Sequence, residues 1–197
     1  MTRRRHYGEA VRREEIVTAA IGSVARGGMA QATLARIAEA AGLTNAAVLY
    51  YFSGKADVID AAYLRVVADM GEQVGAAMAE APTGRSSVDA YVRSLTGFLS
   101  GHPDHLRFLV RYLAARSGEP LETDGATPRW TPLAQAIARG CDEGELSCAD
   151  PRTAAIAIGG AIDAIFAEAM DDPGYDVDAA TDTLLEMIHR ALDGPRA

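Results

Sequence analysis

The sequence predicts an all-α protein of about nine helices, and three observations lead there. Apolar residues recur at i, i+3, i+4 and i+7 through most of the chain, the spacing of one helix face. No segment alternates apolar and polar residues over a strand's length. Helix start and stop signals punctuate the chain, at Gly27-Gly28, Gly101-His102-Pro103, Asp150-Pro151 and Asp172-Pro173-Gly174. With 197 residues the chain can bury a sizeable core in one or two domains, and its 49% hydrophobic content excludes a disordered chain.

The elements follow in order. Met1 to Gly8 reads as a basic arm whose Arg3, Arg4 and Arg5 suit a minor-groove or phosphate contact. A first helix is expected from Val11 to Arg26, with Ile16, Ala19, Ala20, Ser23 and Val24 on its buried face and Gly27-Gly28 ending it. Thr33 caps a second helix, whose apolar face is Leu34, Ile37, Ala38 and Ala41. Gly42 follows where a helix end needs positive φ, and Thr44 caps a third helix with Val48 and Phe52 facing inward. Helix, glycine turn, helix is the helix-turn-helix arrangement, whose second helix enters the major groove of DNA.

At about 100° per residue, Asn45, Ala46, Leu49 and Tyr50 point away from the Val48/Phe52 face. Asn45 can pair with an adenine edge, and Ala46 or Leu49 can touch a thymine methyl. Tyr50, Tyr51 and Lys55 are placed for phosphates, with Thr33, Arg36 and Thr44 at the starts of the two helices completing the expected DNA-binding set. A three-helix packing motif without a DNA role has the same local pattern.

The run I-A-E-A-A-G-L-T-N-A-A-V-L-Y-Y-F-S-G-K-A-D-V-I resembles the N-terminal DNA-binding domain of TetR-type transcriptional repressors, in which the usual pattern is I-A-x-x-A-G-V-S-x-x-x-L-Y-x-x-F-x-S-K-x-x-L. Ile37, Ala38, Ala41, Gly42, Phe52, Lys55 and the apolar Val58 match it, and Leu43, Thr44 and Val48 are near equivalents. Two positions depart: Leu49 stands where the family usually has Tyr, and Gly54 where a Ser often precedes the Lys. The first removes one inherited phosphate contact, for which Tyr50 and Tyr51 are the neighbouring substitutes. The resemblance implies a DNA-binding domain over 1–55 and a ligand-binding and dimerisation domain over 56–197.

Charge agrees with that division. Residues 1–55 hold eight basic and four acidic residues, a net +4, so the overall −8 leaves −12 on the remainder. A basic end on an acidic body directs DNA to one end.

Beyond the head, a long helix is expected from Ala56 to about Ala79, which the resemblance makes the transmitter of ligand state. Further helices are expected over Ser87 to Ser100 (opened by a Ser86/Asp89 capping box), Asp104 to Arg116, Trp130 to Glu143, Pro151 to Met170 and Asp178 to Leu192. Leu106, Leu109, Val110 and Leu113 form the apolar face of the second of these, with Phe108 and Tyr112 beside it. The polar stretch Ser117 to Thr127 is long for a loop in a compact domain, which suits a pocket lid.

Met70, Met78, Tyr91, Phe98, Phe108, Tyr112, Trp130 and Phe166 are the candidate lining of an apolar effector pocket, and each equally suits a plain core position. The helix over 152–169 is rich in Ala and Gly. With 178–192 it is the expected homodimer seam, which the resemblance makes a four-helix bundle.

No nucleophile elbow, phosphate-binding glycine loop, dinucleotide turn or paired metal-ligand helix is present, so enzymatic function is not expected. His102 and His105 lack a third ligand nearby in sequence, and Cys141 and Cys148 lack a zinc or redox spacing, so neither metal nor cofactor is expected. No signal peptide and no run of 18 uninterrupted apolar residues appears, which predicts a cytoplasmic protein with no membrane partner. Eighteen Arg against one Lys point to a GC-rich bacterial genome. The expected partners are a palindromic double-stranded operator, a small effector and a second copy of the chain. The rival readings are an enzyme and a dimeric adaptor that takes no effector.

Overall fold

The computed structural model describes residues 2–116 and 129–193, with side chains from residue 8 onward. Among the described residues there are nine helices and no strand. They are α1 (Thr2–Gln31), α2 (Leu34–Ala40), α3 (Asn45–Tyr51), α4 (Lys55–Ala79), α5 (Gly84–Gly101), α6 (Pro103–Ala115), α7 (Thr131–Asp142), α8 (Pro151–Asp171) and α9 (Val177–Leu192). The helices form two compact units. One runs as far as Asp69 and takes in α6; the other holds Met70–Gly101 and the C-terminal helices.

The first unit packs around large side chains. Ile16, Ala20 and Val24 of α1, Ile37 of α2, Val48 of α3 and Val58, Ala62 and Val66 of α4 are fully buried, with Phe108 of α6 among them. Tyr112 stacks on Tyr63 at 4.4 Å between ring centroids and donates its hydroxyl to Asp60 Oδ1 at 3.0 Å. Burial, then that bond, pushes the Tyr112 phenol up to about 12. Arg111 Nη1 donates to the carbonyls of Val24 and Ala25 at 2.7 and 2.8 Å, satisfying acceptors just ahead of a break in α1.

Two expectations are corrected here, on the buried face of α6 and on the start of α1. Packing puts α6 and the start of α4 in one compact unit with the helix-turn-helix. The reason is volume: α1, the short α2 and α3 and the start of α4 leave a core that Phe108 and Tyr112 fill. The buried face of α6 is therefore Phe108, Leu109 and Tyr112, while Val110 and Leu113 are exposed at 36% and 41%. Finally, α1 begins at Thr2, ahead of the expected Val11, while Gly28 (φ 76°, ψ 170°) breaks it at the expected stop, with a short helical stretch beyond to Gln31. The basic arm is thus helical in backbone, and the side chains of Arg3, Arg4 and Arg5 lie outside the described residues. So does the segment 117–127 expected to form a lid.

The second unit buries Val88, Val92, Leu133 and Ile137 and adds one close backbone approach. A Cβ on Gly84 would lie 2.1 Å from the amide nitrogen of Gly140, so α5 and α7 touch main chain to main chain. The Glu143 carboxylate completes that crossing, accepting the Gly84 N–H at 2.6 Å and Arg139 Nε at 2.8 Å. These bonds, the Gly84 one first, hold its pKa below the usual carboxylate range. The start of α5 also differs from expectation. Thr83 and Ser86 cap each other's backbone N–H groups at 3.0 and 3.3 Å, one turn before the expected Ser86/Asp89 box. Asp89 instead meets His189 Nε2 of α9 at 2.7 Å. Asp150 and Asp176 cap α8 and α9.

Candidate nucleic-acid interface

The turn between α2 and α3 is built by its sequence. Gly42 takes φ 66°, and the two bonds Leu43 N–H to Ala38 O (2.8 Å) and Gly42 N–H to Glu39 O (3.0 Å) close a Schellman motif. Thr33 Oγ1 accepts from the Arg36 amide at 3.3 Å and Thr44 Oγ1 from the Ala47 amide at 3.2 Å. Each cap is worth about 1 kcal/mol, which matters for helices of two turns that are not stable alone.

Val48 and Phe52 are buried at 0% and 2%, anchoring α3 to the core. Asn45, Ala46, Leu49 and Tyr50 face solvent, Leu49 at 52% and Tyr50 at 68% exposure. The four residues read from helical spacing therefore share one open face. Tyr51 is half-buried, its ring edge-on to Tyr50 at 5.0 Å. Arg36 is exposed at the start of α2, its Nη1 held by Gln31 Oε1 at 2.9 Å. Lys55 Nζ donates to the Met29 carbonyl at 2.5 Å, so one of its three protons ties α4 to the end of α1 and two remain for other acceptors.

Arg13 was not foreseen. Its Nη1 donates to the Tyr51 carbonyl at 2.6 Å, and its guanidinium lies 4.1 Å from the centroid of the Phe52 ring. It thus fastens the C-terminal end of α3 to α1. In the sequence it was one more charge in a basic stretch, and nothing local paired it with a residue 38 positions on. Asp57 plays a smaller part, accepting from the amide and hydroxyl of Ser53 at 2.8 and 3.2 Å between α3 and α4.

The eight aromatic and Met candidates do not fall together. Phe108 and Tyr112 belong to the first unit's core, whereas Met70, Met78, Tyr91, Phe98, Trp130 and Phe166 lie in the second unit. There Tyr91 donates to the Arg129 carbonyl at 3.4 Å, its pKa raised by burial, and Arg152 sits 4.8 Å over the Trp130 ring.

Two short capped helices about a positive-φ glycine, with a neutral open face on the second, define a helix-turn-helix domain of the DNA-binding class. Residues 16–62 match the model of the bacterial regulatory proteins of the tetR family, and they are a TetR-type N-terminal domain. The HTH-type transcriptional regulator BetI of Brucella anthropi is 32% identical over 84 residues, 43% of each chain, so the match spans less than half of that relative's length. Two solved structures share the fold across nearly the whole chain. A TetR family transcription regulator from Marinobacter aquaeolei has a TM-score of 0.77 at 16% identity, covering 96% of this chain and 98% of that one. A protein of Saccharomonospora viridis in complex with choline has a TM-score of 0.82 at 20% identity, covering 92% and 97%.

Proposed function

We propose that the protein is a homodimeric transcriptional repressor of the bacterial cytoplasm that binds a palindromic operator through α2 and α3 and leaves it when a small effector binds. The open face of Asn45, Ala46, Leu49 and Tyr50 on a helix fastened at both ends carries this reading. An exposed Leu beside an exposed Tyr suits a groove wall and its phosphates.

The second copy is inferred from α8 and α9. The apolar stretch of α8 has a mean hydropathy of 1.5, yet only 22% of it is buried within one chain. Ile156 and, on α9, Met187 are exposed at 47% and 61%. Pairing these helices with their copies would cover that surface and set two recognition helices at a fixed spacing. The effector is assigned to the second unit, among Met70, Met78, Tyr91, Phe98, Trp130 and Phe166, as a small apolar or aromatic molecule. An effector bearing a quaternary ammonium is the second reading, because the Trp130 ring already accepts a guanidinium on its face and the Saccharomonospora viridis protein holds choline. Release requires that the effector favour the DNA-incompetent state by about 1–3 kcal/mol.

Selection of bound duplexes from a random DNA pool tests the reading. The expected product is a palindrome with half-sites about one helical turn apart. No enrichment by a folded dimer at any salt would leave the adaptor reading in its place.

A further inference from the structure

The end of α1 and one side of α2 enclose an open cleft of about 450 Å³. Its walls are Ser23, Arg26, Gly27, Gln31, Arg36 and Glu39. Arg26 of α1 and Arg36 of α2 thus both line one cleft. Arg36 is already oriented, by Gln31 Oε1 at 2.9 Å. Arg26 folds back along α1 toward Gly22, where an ideal Cβ would come within 2.9 Å of its Nη1. Its guanidinium has no hydrogen-bond or ion-pair partner among the described residues, unlike Arg12 and Arg13 on the same helix. The Ser23 hydroxyl and the Gln31 amide N–H groups can add donors, and the Glu39 carboxylate is the acidic group of the lining.

We infer that this cleft is a phosphate seat, and that Arg26 and Arg36 together clamp a backbone phosphate of the operator. The inference rests on the DNA-binding reading above and adds Arg26, which neither the motif nor the recognition face includes. Two Arg against the single Glu39 leave one positive charge, the complement of one phosphodiester. Arg36 also lies in the first turn of α2, and the first helix of a helix-turn-helix crosses the DNA backbone. A guanidinium fork suits that oxygen pair better than an ammonium does. The contact would position the head and read no base.

The test uses the full-length protein and the duplex recovered by selection. Arg26→Ala should weaken binding about fivefold at moderate salt, lower the slope of log K against log salt by about 0.9 per head, and leave base preferences unchanged. Ethylation interference should lose one phosphate per half-site. Glu39→Gln, which removes the opposing charge, should tighten binding about threefold by the same charge logic. Arg26 is on the surface, so Arg26→Ala should keep the wild-type melting profile, and Glu39→Gln provides the readout should it not. A wild-type salt slope and interference pattern in Arg26→Ala, with Glu39→Gln binding as wild type, would overturn the phosphate seat while the DNA-binding reading stands. Failure of the wild-type protein to bind any duplex would remove both.

Discussion

The two units of this chain both bury apolar cores and differ in one device, a backbone-to-backbone crossing present in the second. The first fills space with side chains: Phe108, Phe52 and Tyr112 reach into a core assembled from five helices. The second removes side chains where α5 meets α7, so that Gly84 and Gly140 touch backbone to backbone. Its α8 is built of small residues and leaves most of its apolar surface uncovered. A small DNA-reading head must be rigid on its own, and bulky interlocking residues give that rigidity. The other unit buries Val88, Val92, Leu133 and Ile137 and adds one tight backbone crossing, closed by the Glu143 clasp.

Phe108→Ala should cost the most, about 3–5 kcal/mol, because it empties the centre of the first core. Denaturant unfolding measures the loss, and operator affinity should fall with it. Were Phe108→Ala nearly neutral, the contrast between the units would lose its basis.

Gly84→Ala probes the backbone crossing. The added methyl meets main chain and cannot be moved aside by a rotamer change, so a loss of about 1–3 kcal/mol is expected, without a cavity. Gly71→Ala, with open space around its Cβ position, should be neutral or stabilising and serves as the control.

Arg13→Ala sharpens the comparison within the first unit. It removes a charged hydrogen bond and a ring contact for about 1–2 kcal/mol of stability. Operator affinity should fall further than Arg13→Lys makes it fall, since Lys keeps the charge and loses the fork.

Ile156→Asp together with Met187→Asp should leave the fold of one chain intact, because both residues are exposed. Sedimentation should show monomers and operator binding should collapse to weak half-site binding. A double variant that remained dimeric would move the proposed seam elsewhere.

The smallest effect is a pH dependence. The folded-state pKa of Glu143 is depressed, by the Gly84 N–H before Arg139. Its contribution is therefore present above the ordinary carboxylate range and lost as pH falls through the lowered folded value. Melting temperatures followed downward from pH 6 should decline less steeply in Glu143→Gln than in the wild-type protein.

The sequence by itself determined everything that depends on neighbours a few residues apart. The caps at Thr33, Thr44 and Asp150, the turn at Gly42 and the open face of α3 all follow from helical spacing and local hydrogen bonding. Where two local solutions competed, tertiary contact chose. Ser86 had partners three residues away on both sides, and Asp89 was drawn off by His189, 100 positions later. The apolar residues of α6 offered more than one face, and only the hole left by α1 and α4 selected Phe108 and Tyr112. The same holds for Arg13 on Tyr51: a charge in a basic stretch carries no record of its distant partner. Periodicity and capping act over one or two turns and are written in the chain. The pairing of long side chains across helices depends on crossing geometry, which only the packed structure decides.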